Sequence, residues 1–387
     1  MSDRIFEISS PVREYKYIPL LFTIKRLEKL DGKDWAFEDM ETAEVIPLQS
    51  ESGWWINNAW MRMILPSIGK RQTRRFKLIQ TDPHPFRAIL EESCGDRIEM
   101  KVDGNLVAGY NYSKDWVRPF LWPIHGAGGV PLTRSWPMQD SPDEMTDHIH
   151  HKSVWTAHGD IEGADFWEEG GEHGHVHQYA FEERTSGSVF CRISNKCNWL
   201  TKEEKTVVRS YSDTTIYALP DDQRILDFTI CFRGLDGPVR FGDTKEGGLL
   251  AVRVTTSMNG DKGGMIENAY GGLTEAECWG KPAPWVDYSG PVKDETHGIA
   301  IFDNPENFFH PTRWHVRDYG LFAANPFAMR DYLGDPSADG SRILKEGEVW
   351  KIQYRMFLHR GDATEGGVRD QYLAYVNPPS VKEILEE

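Results

Sequence analysis

The sequence has no apolar run near the roughly 18 residues that span a bilayer. Its best stretches, such as 17–22 and 298–302, are strand-sized, and the mean hydropathy is −0.54. No membrane is expected as a partner. The N-terminus, Met1-Ser2-Asp3-Arg4, lacks the apolar core of a secretory signal, so the expected location is cytoplasmic. Cysteine is sparse: Cys94, Cys191, Cys197, Cys231 and Cys278 form no C-x-x-C pair. An odd, scattered set suits neither a disulfide framework nor a zinc ribbon, and the thiols are expected reduced and mostly buried. Positive charge is also short. Forty-four Lys and Arg face sixty Asp and Glu, a formal net charge of −16; that field repels a phosphate backbone, so nucleic acid is not expected to bind. The chain contains no G-x-G-x-x-G, no G-x-x-x-x-G-K-[ST] and no G-x-S-x-G, which leaves nucleotide cofactors and serine acyl transfer without a motif.

What is abundant is ring and turn. Phe, Trp and Tyr make up 12% of the chain beside 35 Gly and 22 Pro, the profile of many short strands joined by tight turns. From Trp350 the apolar positions 350, 352, 354, 356 and 358 alternate with mostly polar ones, which predicts a strand with one face in a core. The runs 97–102 and 106–110 around Asp103-Gly104 predict a hairpin. Strands are also expected at 188–193, 224–232, 248–255 and 298–302. Gly366-Gly367 and Pro378-Pro379 bracket a short helix at 368–376, and 381–387 reads as a frayed turn. Shorter runs before Pro83-His84-Pro85 set residues 1–90 apart as a small N-terminal β domain. Residues 91–387 then form a large antiparallel β-sandwich, making the protein mostly β.

Eight of thirteen histidines lie between 125 and 177, where an even spread would place about two. Their densest segment runs from Asp147 through His148, His150 and His151 to His158. If extended, it turns His148 and His150 to one face and His151 to the other, the H-x-H pair of β-scaffold metal sites. A divalent metal held by His148 and His150 is therefore the one cofactor left open. Acid–base work by imidazole without metal is the preferred reading. The alternating His173, His175 and His177 read instead as a solvated loop entering a strand. Arg118, His125, Arg134 and nearby tryptophans offer guanidinium forks and flat apolar faces for a polar ring. Asp243, Lys245 and Glu246 lie between glycines at a strand entrance, where Lys245 and Glu246 can tune each other's proton affinity. His310, Arg313, Trp314 and His315 form a second His/Arg/Trp group, expected to face the same cleft.

Several of these pieces resemble the PmoA-like proteins of bacteria: Arg118-Pro119, His125-Gly126, Thr133-Arg134, Asp147-His148-x-His150-His151, Ala157-His158-Gly159-Asp160, Asp165-Phe166-Trp167, Phe241-Gly242-Asp243 with Lys245-Glu246-Gly247, and Phe308-x-His310-Pro311. The likeness spans about 98–360. It implies a galactose-mutarotase-like supersandwich whose cleft takes sugars. Methane oxidation by a bilayer subunit, which the group's name suggests, does not fit so polar a chain.

The function expected is a carbohydrate-active enzyme of sugar catabolism, acting on a sugar, glycoside or oxidised sugar by epimerisation, elimination or glycosidic cleavage. His150, His151 and His158 are the candidate proton-transfer groups, with Glu246 as partner base and Asp147 orienting a histidine. Arg118, His125, Arg134, Trp155, Asp243, Lys245, His310 and Trp314 are the candidate substrate-binding residues. The alternative is a non-catalytic sugar-binding or sensing protein using the same cleft. The partner in either case is a small-molecule sugar, and a homo-oligomer is left open.

Overall fold

Alternating side chains and frequent turns give what they predict: 26 strands and three short α-helices, in a computed structural model that describes residues 4–10, 13–27, 32–51, 58–235 and 237–384. Two eight-stranded antiparallel sheets form a sandwich. The front sheet runs from Trp314–Arg317 through Leu321–Ala324, Gly247–Arg253, Val154–His158 and Phe120–Ile124 to Ala88–Ser93. The back sheet contains His175–Thr185, Phe190–Leu200, Thr206–Tyr217, Arg224–Gly234, Val349–Arg360 and Glu295–Asp303. Between them lies the main core, with Leu250, Val252, Phe322, Ile230, Ile299 and Met356 all buried.

The predicted hairpin is Arg97–Val102 paired with Asn105–Asn111, and Asp103 and Gly104 both take the positive φ its tight turn needs. The helix is Val368–Val376. It packs on the outer face of the back sheet, so Val349–Arg360 alternates only in its first half. From Tyr354 to His359 both faces are buried, because Tyr375 covers Arg355 and Val368 joins the cluster around Phe357.

The N-terminal strands build a core of their own from Phe6, Phe22, Phe37, Met63 and Phe76, which also takes in Ala374. Residues 380–384 are a strand and not the frayed turn expected. They pair antiparallel with Ile5–Ser9, giving that strand a second neighbour, and 385–387 lie outside the described residues. Cys191, Cys197 and Cys278 are buried, Cys231 is half-buried, and all five thiols are free. Among the described residues no helix is long and apolar enough to cross a membrane.

Candidate functional site

Strand alternation decides which residues can meet. On the front sheet Val154, Leu250, Val252, Phe322, Ala324, Trp314 and Val316 point into the sandwich. Their neighbours Trp155, Ala157, Ala251, Leu321 and Ala323 point outward, where with Phe120 and Trp167 they form a separate apolar floor. The same parity sends Arg253, His315 and Arg317 outward, onto the face that carries the histidine loop.

That loop, residues 147–153, is not extended. His148 has φ +48 and Ser153 φ +57, and the His151 N–H donates to the His148 carbonyl, so the chain turns where an H-x-H strand was expected. The turn stacks His148 flat on His151, centroids 4.7 Å apart and 3° from parallel, and sets His150 edge-on to His148 at 5.7 Å and 86°. In place of the H-x-H pair of His148 and His150 that left a metal open, the turn makes a stacked 148/151 pair. Among the described residues no group of three or more His, Cys, Asp or Glu is placed to hold a metal ion.

Two buried arginines shape this loop. Arg134 donates to the carbonyls of Asp147 (2.8 Å), His148 (3.0 Å), His151 and Met145, and to the Asp147 carboxylate at 2.6 Å. Arg118 donates to the carbonyls of Trp167 (2.8 Å), Glu168 and His150 and to Glu169 Oε1 at 2.7 Å. The sequence reading gave both to substrate. Their donors instead clamp residues 145–151 to 167–169, and both are about 1% exposed or less.

The protonation pattern follows from burial and this excess of guanidinium. His150 is pushed down to about 3 by burial, then by Arg118 and His148, so its ring is neutral near pH 7. Its Nδ1 lies 3.1 Å from Glu168 Oε2. His151 is lowered by burial, His150 and Arg253. Because Arg253 can only donate, its 3.0 Å contact makes His151 Nδ1 the acceptor and puts the proton on Nε2. Burial pushes Asp147 up, but Arg253, His148 and Arg134 outweigh it and hold the carboxyl below its usual value. Asp147 also accepts from Arg253 at 2.7 Å and meets His148 Nδ1 at 2.7 Å.

Two other carboxyls go the opposite way. Glu246 is raised by burial against the pull of Lys245 and Arg317, and Glu168 is raised by burial, Asp165 and Glu246. Lys245 Nζ stands 3.8 Å from Glu246 Oε1 and is partly exposed. Tyr319 stacks on His148 at 5.0 Å, completing the wall. The site therefore holds a neutral imidazole beside two carboxyls raised by burial, a cluster of perturbed acid and base groups.

Other expected residues take structural roles. His158 is core, packed between Phe241 and Phe327, with Nε2 2.9 Å from the Gly242 carbonyl and its pKa lowered by burial to about 4. Trp155 lies beneath His151 at 5.3 Å and is 2% exposed, a support and not a sugar platform. Asp243 accepts from the backbone N–H groups of Arg330 and Gly340, fixing the short helix Met329–Leu333 and the loop at 340. His125 contacts the Leu106 carbonyl at 3.1 Å, and the cations it senses are Arg97 and Lys293. His310 pairs with Asp303 at 2.8 Å on the border of the back sheet. Trp314 points into the core, its indole N–H donating to the Ala283 carbonyl, while His315 beside it reaches the site's floor against Trp167. His175 and His177 are half-buried within the strand His175–Thr185 itself, and not in the solvated loop expected before it.

Sequence reasoning missed Glu168, Arg253, Arg317 and Tyr319, whereas His315 belonged to the second His/Arg/Trp group expected at the cleft. Arg253 carried a signal: a cation ending a strand buried throughout requires a partner.

Residues 97–372 match a family of unknown function, DUF6807, and the chain belongs to it. No curated protein matches. Among solved structures the chain is similar to an alpha-mannosidase from Enterococcus faecalis V583, with a TM-score of 0.46 and 10% identity over all of this chain. The chain spans 46% of the length of that protein.

Proposed function

We propose that this member of DUF6807 is a carbohydrate-active enzyme that transfers protons between His150, backed by Glu168, and Glu246. One observation carries the reading: a buried, neutral imidazole lies 3.1 Å from a carboxyl that is itself raised, with a second raised carboxyl close enough to influence it. A neutral His150 whose Nδ1–H faces Glu168 presents the Nε2 lone pair as a base. Glu246, whose pKa burial raises, supplies the acid. Such a pair serves epimerisation, elimination or glycosidic cleavage, each of which moves a proton at a C–H or C–O centre. Lys245, Arg317 and the Tyr319 hydroxyl supply donors for sugar hydroxyls, in place of Arg118 and Arg134. His151 and Asp147 are positioning residues, fixed by Arg253.

The test is turnover on a panel of oxidised and unoxidised disaccharides with products identified by NMR. His150→Ala is expected to lose roughly 10²-fold or more in rate, the usual contribution of a general base. Glu168→Gln is expected to lower the rate and shift the acidic limb of the pH profile. That limb lies above the ordinary carboxyl value because the group is raised, and activity falls as pH drops through it. Unchanged turnover in His150→Ala overturns the assignment.

A further inference from the structure

The outer face of the back sheet is covered unevenly. On strand Asn58–Ile68 the residues Ala59, Met61, Met63 and Leu65 enter the N-terminal core. Alternation turns Trp60, Arg62 and Ile64 toward the sandwich. At one end the layers touch, where Ile64 and Tyr17 pack on the cluster holding Phe190 and Tyr217. At the other end they part around a cleft of about 1330 Å³, some of it open to bulk water. Its N-terminal wall carries Trp60, 53% exposed, and Leu21, 46% exposed.

The floor is a continuous polar network. Glu51 pairs with both Arg62 and Arg192, and Arg62 reaches the Tyr217 hydroxyl. Tyr217 donates to Asp227 at 2.7 Å, and Arg355 grips Asp227 with two bonds of 2.6 and 2.8 Å. Arg62, Arg192, Arg355 and Lys351 stand against Glu51, Asp213 and Asp227, so the charge nearly cancels. An anion here meets carboxylates and a cation meets guanidinium groups. A network serving only to join the layers has no use for a half-exposed indole at its mouth.

We propose that this cleft is a second ligand site that binds neutral carbohydrate. Guanidinium–carboxylate pairs hold donors and acceptors in fixed positions for hydroxyl groups, and the Trp60 face receives sugar C–H bonds. The site uses none of the residues around His150 and lies across the sandwich from them. It gives the N-terminal layer a function, since one wall of the cleft is made of its Pro19, Leu21, Glu51, Trp60 and Arg62.

The experiment is ¹⁹F NMR of protein labelled with 5-fluorotryptophan, the Trp60 resonance being identified by its loss in Trp60→Phe. Cellobiose, maltose and lactose are the probes, with glucose 6-phosphate and spermidine as charged controls. At least one disaccharide is expected to shift the Trp60 resonance saturably, in the parent and equally in His150→Ala, while the charged controls do not. Saturation transfer to that sugar in the His150→Ala background is expected to weaken in Trp60→Ala, an exposed change that leaves the ion pairs intact. No saturable shift up to roughly tens of millimolar, ample for a site of about 1 mM Kd, overturns the proposal. So does a response to the charged controls alone. A silent Trp60 with turnover intact sinks this proposal only, and a responsive Trp60 without turnover sinks the proposed function only.

Discussion

Replacing Arg134 by Met separates two accounts of the same residue. A substrate-binding arginine loses affinity for substrate when its fork is removed and leaves the fold unharmed. The structure instead places Arg134 at 0% exposure, donating to four backbone carbonyls and one carboxylate. Methionine fills much of the volume and offers no donor. Each charge-assisted bond contributes about 1.5–3 kcal/mol, but the bonds do not add. Asp147 keeps Arg253, and the carbonyls nearest the half-exposed His148 regain water as the loop relaxes. The net cost expected is about 3–5 kcal/mol, that of stripping one partner from a buried ion pair. By the scaling of melting temperature with stability for a chain of this size this lowers Tm by roughly 4–6 °C, read by thermal unfolding. Arg134→Lys keeps the charge without the planar fork and should recover part of the loss. A melting temperature within about 2 °C of the parent in Arg134→Met, with a raised KM, refutes the clamp.

Two further outcomes follow from buried histidines. His359 meets Asp287 Oδ1 at 2.8 Å deep in the back sheet; burial opposes its charge, but Asp287 and the Arg360 carbonyl raise it above its ordinary 6.5. A raised imidazole contributes stability that is fully present below 6.5 and is lost as pH rises through the higher folded value. The protein should therefore lose Tm from this pair on moving from pH 6 to alkaline pH, and Asp287→Asn should flatten that part of the pH dependence; an unaltered profile in the variant counts against the pair. His158→Leu leaves the Gly242 carbonyl without its donor and should cost about 1–3 kcal/mol in urea unfolding. Its turnover should fall far less than the roughly 10²-fold of a lost general base, and a full loss of rate in a folded protein would return His158 to the mechanism.

Much of the fold was written in local pattern. Period-two alternation at 350–358, the Asp103-Gly104 turn and the glycine–proline brackets of 368–376 each act over a few residues, and each element formed where its pattern stood. The excess of histidine between 125 and 177 likewise marked the loop that carries His148, His150 and His151. The roles within it depended on other strands. Whether Arg118 and Arg134 were free for substrate turned on carbonyl groups up to 50 residues away that needed their donors. Adjacent residues on one strand parted by parity, Trp314 going to the core and His315 to the site, and nothing in the pair itself says which face the partner sheet will cover. Glu168 acquired its place because Arg118 holds residues 167–169 against the His150 loop. The sequence by itself determined the class of structure and the side chains available for chemistry, because strand periodicity and composition are local. Tertiary structure decided which of those side chains face one another, because burial, pairing and the resulting protonation states depend on contacts between distant segments.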